Sequence, residues 1–157
     1  MNTNITDYQA SIFYRKLDKY EMTVQDFVDW AYAQYDDDGA LPWIEQAALC
    51  YDIVEAKAIL TDNFQIQFEL DKSYLVGELA DKLERNEISA YKAVWHLFYT
   101  LDDLDWTKEE ETEIYTMEDY YGWHNNPDSV VIPRLKKLID PFKKNYIEST
   151  SFLNVDI

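Results

Sequence analysis

Apolar positions recur at three- and four-residue intervals along most of this chain, the period that places side chains on one face of an α-helix. From Thr6 to Tyr20 the residues Ile12, Phe13, Lys16 and Leu17 fall on adjoining turns, and Thr6 with Gln9 has the spacing of a capping box. The next helix is the clearest. Thr23 and Asp26 repeat the cap spacing, and Val24, Phe27, Val28, Ala31, Tyr32 and Tyr35 follow at i, i+3, i+4, i+7, i+8 and i+11. Asp36-Asp37-Asp38-Gly39 ends it, because carboxylates oppose the dipole at a helix C-terminus and Gly39 tolerates the left-handed conformation. Pro42 opens a third helix with Leu41, Ile44, Ala48 and Tyr51 as its core stripe, and Asp52 with Glu55 caps a fourth carrying Ile53, Ala56 and Leu60.

Phe64 to Leu70 alternates apolar and polar strictly, which leaves it open between a strand and the start of the following helix. Asp71 caps a helix with Leu75, Leu79 and Leu83, and Ile88 to Leu101 sets Tyr91, Val94, Trp95, Phe98 and Leu101 on one face; these two are expected to pair antiparallel. Thr107 and Glu110 again have capping-box spacing, and Gly122 is placed to end the helix after Ile114, Met117 and Tyr121. Asn126-Pro127 reads as a helix start, which places Pro133 inside the helix unless it begins later, around Ile132, and Asp140-Pro141 is expected to break or kink it. The ending STSFLNVDI is a docked extended tail or a frayed one. The sum is an all-α chain, a single compact domain over 1–157 of about seven to eight helices in antiparallel hairpins, with at most one short strand-like segment near 64–70.

Composition narrows the function. Lys+Arg 14 against Asp+Glu 31 gives 14 − 31 = −17, which argues against direct nucleic-acid binding through a basic footprint. Aromatic residues at 16% separate the chain from acidic disordered sequences. Cys50 is the only cysteine, so no intramolecular disulfide or multi-thiolate zinc site can form. The opening MNTNITDYQA lacks the basic and apolar regions of a secretory leader, and no long uninterrupted apolar stretch occurs, so a cytoplasmic protein without a membrane partner is expected.

Catalytic signatures are missing. His96 projects with Lys92 and Thr100 away from the aromatic face, and His124 sits in the turn Tyr120 to Asn126, as a binding contact or a structural residue. A calcium loop beginning at Asp103 would need Gly and Glu where the chain has Lys108 and Ile114. With no GxSxG, no HExxH and no Gly-rich phosphate loop, neither a catalytic residue, a metal site nor a cofactor is expected, and the protein is read as a non-enzyme.

Charge distribution is the informative feature. Asp102, Asp103, Asp105, Glu109, Glu110, Glu111, Glu113, Glu118 and Asp119 stand against the single Lys108, while Arg134, Lys136, Lys137, Lys143 and Lys144 cluster later. Trp106, Tyr115, Tyr120, Tyr121 and Trp123 are interleaved with the acids, a mixture that suits either an interface or a solvated face with some aromatics turned inward. Glu109 with Glu113, and Glu110 with Glu113, have the spacing of repelling neighbours, so Glu109→Lys or Glu113→Lys should leave the free protein unchanged or slightly stabilised.

MTVQDFVDWAYAQ, as an opening helix, and AVWHLFYTLDDLDWTKEEETEIYTMEDYYGW, an aromatic helix followed by an acidic one, resemble small acidic all-helical bacterial immunity proteins of polymorphic-toxin and contact-dependent inhibition systems. The resemblance implies an inhibitor that binds a cognate basic toxin domain, often a nuclease, by plugging its active site or covering a neighbouring surface. The partner-binding residues it points to are Asp102, Asp103, Asp105, Glu109, Glu110, Glu113, Glu118, Tyr120, Tyr121 and Trp123, with the Asp36, Asp37, Asp38 turn. The alternative from the same composition is a nucleic-acid mimic of the anti-restriction or anti-defence kind, whose carboxylates stand in for phosphates.

Overall fold

A computed structural model describes residues 4–155 as eight α-helices and one short 3-10 turn, with no strand among the described residues. The fold is all-α. Contacts divide the chain into two compact units, residues 1–70 with 150–157 and residues 71–149, each with its own buried cluster.

The first unit holds α1 (Asp7–Asp18), α2 (Val24–Ala33), α3 (Pro42–Ala48) and α4 (Ile53–Asn63). Side chains satisfy the orphan amides at three helix starts: Thr6 accepts from Gln9 N at 3.1 Å, Thr23 from Asp26 N at 3.0 Å, and Asp52 from Glu55 N at 2.7 Å. Both expected capping boxes form. α2 packs on α3 and α1 on α4 around Phe13, Leu17, Phe27, Ile44 and Leu60.

Three aromatic assignments change. Tyr32, Tyr35 and Tyr51, placed in the core by periodicity, are exposed, and Trp30 and Trp43 are buried instead. Burial of an indole requires a partner for its N–H, and each has one: Trp30 donates to the Phe152 carbonyl at 2.9 Å and Trp43 to Asn4 Oδ1 at 2.9 Å. The tail is therefore docked, with Ser151–Leu153 in a 3-10 turn and Phe152, Leu153 and Val155 against the core; Asp156 and Ile157 lie outside the described residues. Segment 64–70 is neither strand nor helix. Two of its amides are taken by side chains of α1, Gln65 N–H by Asp7 Oδ1 at 3.2 Å and Gln67 N–H by Ser11 Oγ at 2.8 Å, in place of strand partners.

The second unit holds α5 (Lys72–Glu84), α6 (Ala90–Tyr99), α7 (Lys108–Trp123) and α8 (Pro127–Thr150). Asp71, Ser89 and Thr107 are the N-caps of the first three. α6 packs more extensively on α7 than on α5. The buried residues of α5 are Tyr74, Val76, Gly77, Glu78 and Ala80, with Leu75, Leu79 and Leu83 only half-buried, and at Gly77 α8 approaches to contact distance. α8 starts at Pro127, as Asn126-Pro127 suggested, and runs without interruption through Pro133 and Pro141, so the alternative start near Ile132 and a break at Pro141 do not occur. Each proline removes one amide donor, and the helix is held around them by burial of Val131, Leu135, Ile139 and Tyr146.

Gly122 also departs from expectation: it lies inside α7, which ends at Trp123 with His124 as C-cap. A Cβ there would meet nothing within 4 Å. Gly122→Ala is expected to raise stability by about 0.5–1 kcal/mol through helix propensity alone, seen as a higher denaturation midpoint with unchanged slope.

Candidate functional site

Of the acidic residues singled out by sequence, Asp36, Asp37 and Asp38 are exposed in the first unit. Gly39 takes a φ of +99°, Asp36 and Gly39 exchange backbone hydrogen bonds at 3.0 Å, and Asp36 Oδ1 accepts from Asp38 N at 2.9 Å. The turn holds three carboxylates in solvent.

The remaining candidates lie in the second unit and divide by environment. Asp102, Asp103 and Asp105 are exposed on the loop between α6 and α7, and Glu109 is exposed in the first turn of α7. Glu110 faces inward: its carboxylate accepts from Thr107 N at 2.9 Å and lies 3.4 Å from Lys72 Nζ. Partial burial opposes its ionisation, yet the Thr107 hydrogen bonds and the Lys72 charge outweigh that and hold the carboxyl below its usual range. Lys72 also donates to the Asp105 carbonyl at 2.8 Å and sits 4.2 Å from the Trp106 ring centre. Trp106 is buried, not part of an outer face.

Glu113 is committed to Arg134 in a two-pronged pair, Nε to Oε1 at 2.7 Å and Nη2 to Oε2 at 3.0 Å. The same guanidinium donates to the Tyr120 hydroxyl at 3.3 Å and lies 5.5 Å from that ring's centre. The repulsion expected around Glu113 is thus met by a cation from α8, which corrects the expectation for its reversal. Glu113→Lys should destabilise the chain by about 1 kcal/mol, since the pair is partly solvent-screened, whereas exposed Glu109→Lys should stay within about 0.5 kcal/mol of the parent. Urea titrations of the two variants separate these outcomes.

Tyr121 packs on Tyr91 at 5.0 Å between ring centres and donates its hydroxyl to Asp128 Oδ1 at 2.8 Å. Burial, then the Asp128 carboxylate, raises its phenol well above the ordinary value. Trp123 remains 63% exposed, tilted over Tyr120 at 5.2 Å, and His124 Nδ1 accepts from Asn126 N at 3.0 Å as a turn residue. A groove of about 380 Å³ between α7 and α8 is lined by Glu109, Glu110, Glu113, Arg134, Lys137 and Leu138, so it carries both signs of charge.

Sequence reasoning missed a second feature. Of the expected α6 stripe, Val94 is buried and Phe98 and Leu101 pack against the buried cluster, but Tyr91 lies outside it and Ala90, Ala93 and Leu97 complete the core side. The aromatic side chains form an outer ladder with α7: Tyr91 to Trp95 at 6.1 Å, Trp95 to Tyr99 at 5.7 Å, and Phe98 to Tyr115 at 5.4 Å. Tyr99 is 72% exposed, Tyr115 51% and Tyr91 47%. The signal was present in the sequence, because 90, 93, 94 and 97 also have the i, i+3, i+4, i+7 spacing and their small or aliphatic side chains suit a close helix contact.

Among the described residues no three His, Cys, Asp or Glu side chains converge as a metal ion requires, and no helix is long and apolar enough to cross a membrane. Cys50 is buried, and burial, with Glu55 and Asp52 nearby, pushes its thiol up to about 11, away from a nucleophilic state at neutral pH. No protein-family model, curated protein or solved structure matches this chain.

Proposed function

We propose that this chain is an immunity or inhibitor protein that binds and neutralises a cognate basic toxin domain by stoichiometric association rather than turnover. The observation that carries the reading is the co-occurrence, in one helical unit, of solvent-facing carboxylates with solvent-facing aromatic rings: Asp102, Asp103, Asp105 and Glu109 on the α6–α7 loop and first turn, and Tyr99, Tyr115 and Trp123 on the same helices. Exposed aromatics anchor protein interfaces, and a net charge of −17 accelerates encounter with a cationic surface. Glu110, Glu113 and Tyr120 support that surface from within, through Lys72 and Arg134.

A nucleic-acid mimic needs carboxylates spaced along a phosphate-like track, with little use for exposed rings. The ring-bearing surface favours the specific inhibitor. Co-expression with the product of the adjacent gene tests it: rescue of growth and co-purification of the two proteins are expected. Failure to rescue, together with competition against DNA for several unrelated DNA-binding proteins, would replace this reading with mimicry.

A further inference from the structure

Rings in contact across α6 and α7 make a continuous outer face, and α7 adds carboxylates to it. Glu111 lies four residues before Tyr115 and Glu118 three after, so all three share the side of α7 that touches Phe98. Both carboxylates are half-buried, unlike the exposed acids of the preceding loop. Phe98 also packs against the buried cluster, whereas the rings of Tyr91, Tyr99 and Tyr115 stay exposed.

We infer that this face docks a protein segment bearing arginine side chains, whose guanidinium planes lie on the rings of Trp95, Tyr99 and Tyr115 and pair with Glu111 and Glu118. The inference rests on the reading of the chain as a binder of a basic protein domain and names the chemistry that is bound. Charge complementarity selects the occupant. A purely apolar segment would strip water from Glu111 and Glu118 without offering them a cation. An acidic segment or a phosphate backbone is repelled by a chain of net charge −17. Lysine would satisfy the carboxylates, but only the planar guanidinium both stacks on an aromatic face and bonds a carboxylate at its edge.

The test uses the full chain and two probes of equal length and charge, a short peptide alternating arginine with alanine and its lysine counterpart. Tryptophan fluorescence reports binding, and thermal melts confirm that each variant is folded. The arginine peptide should bind about fivefold more tightly than the lysine peptide. Glu111→Gln with Glu118→Gln, and separately Tyr99→Ala, should weaken it by about tenfold and about fivefold, while Asp62→Asn with Glu69→Gln, which removes the same charge from exposed positions in the other unit, changes it less than about twofold. Equal affinity for the two peptides, or equal losses in the face and control variants, would reduce the face to general polyanion attraction and overturn the inference. Neutralisation of the toxin at full strength by the face variants would also overturn it while leaving the inhibitor reading intact. Face-dependent arginine binding without any neutralised partner would keep the docking face and remove the inhibitor reading.

Discussion

Phe13→Ala should destabilise the chain by about 3–5 kcal/mol, the range for deleting a fully buried aromatic side chain from a packed core. Phe13 has no exposed surface, and three rings meet it edge-on: Trp30 at 4.8 Å, Phe152 at 5.2 Å and Phe27 at 5.3 Å. Those partners come from α2 and from the C-terminal turn, so the cavity would open where both are held together. The tail would loosen with it, because Phe152 loses its ring contact with Phe13 and keeps its hydrogen bond and ring contact with Trp30. Calorimetry should show the midpoint falling by roughly 10 °C or more. A loss below about 1 kcal/mol would mean that the surrounding rings collapse into the space, and that the cluster is less tightly fitted than its contacts indicate.

Gly77→Ala should cost about 1–3 kcal/mol or more, despite the better helix propensity of alanine. A Cβ at Gly77 would stand 2.5 Å from the Phe142 carbonyl oxygen and 2.5 Å from Tyr146 Cβ, with the Phe142 carbonyl carbon at 3.2 Å. Two of these neighbours are backbone atoms of α8, so relief requires the helices to separate. That movement would also disturb Tyr74, whose ring meets Tyr146 at 5.2 Å. Gly122→Ala supplies the opposite sign from the same substitution in the same kind of element, because its surroundings are empty. If both variants are stabilised, the close approach of α5 and α8 is wrong; if both are destabilised, Gly122 has a role that its open surroundings do not explain.

Much of the fold was legible because helix starts are written in short-range chemistry. Thr6 with Gln9, Thr23 with Asp26 and Thr107 with Glu110 form the capping boxes that their spacing announces, and Asp52 and Asp71 cap their helices as expected, while Ser89 caps a helix whose expected stretch began at Ile88. Face assignment was harder. Where two stripes with helical spacing coexist on one helix, hydrophobicity alone favours the aromatic one, yet the contact distance favours the smaller side chains. α6 chose Ala90, Ala93, Val94 and Leu97, and α5 chose a stripe containing Gly77. Segment 64–70 kept its alternation without a strand, with the amides of Gln65 and Gln67 taken by side chains distant in sequence. Pro133 and Pro141 were overridden by burial of the residues around them.

The candidate site was legible as a region and not residue by residue. Asp102, Asp103, Asp105, Glu109 and Trp123 are as open as the charge pattern suggested, while Glu110, Glu113 and Tyr120 are engaged by Lys72 and Arg134. Arg134 is 21 positions from Glu113, and Lys72 is 38 from Glu110, separations at which sequence spacing carries no information on pairing. Net charge describes the encounter and leaves the anchoring contacts to three-dimensional placement.

The most direct test of the proposed stoichiometric inhibition is a titration of a basic toxin domain that co-purifies with the chain, with its activity followed as the purified chain is added. The account requires activity to fall linearly to zero at equimolar inhibitor, with an association rate that drops steeply as salt is raised. Full activity in the presence of excess chain, or complete loss at a small fraction of equivalence as a catalyst would produce, would contradict it.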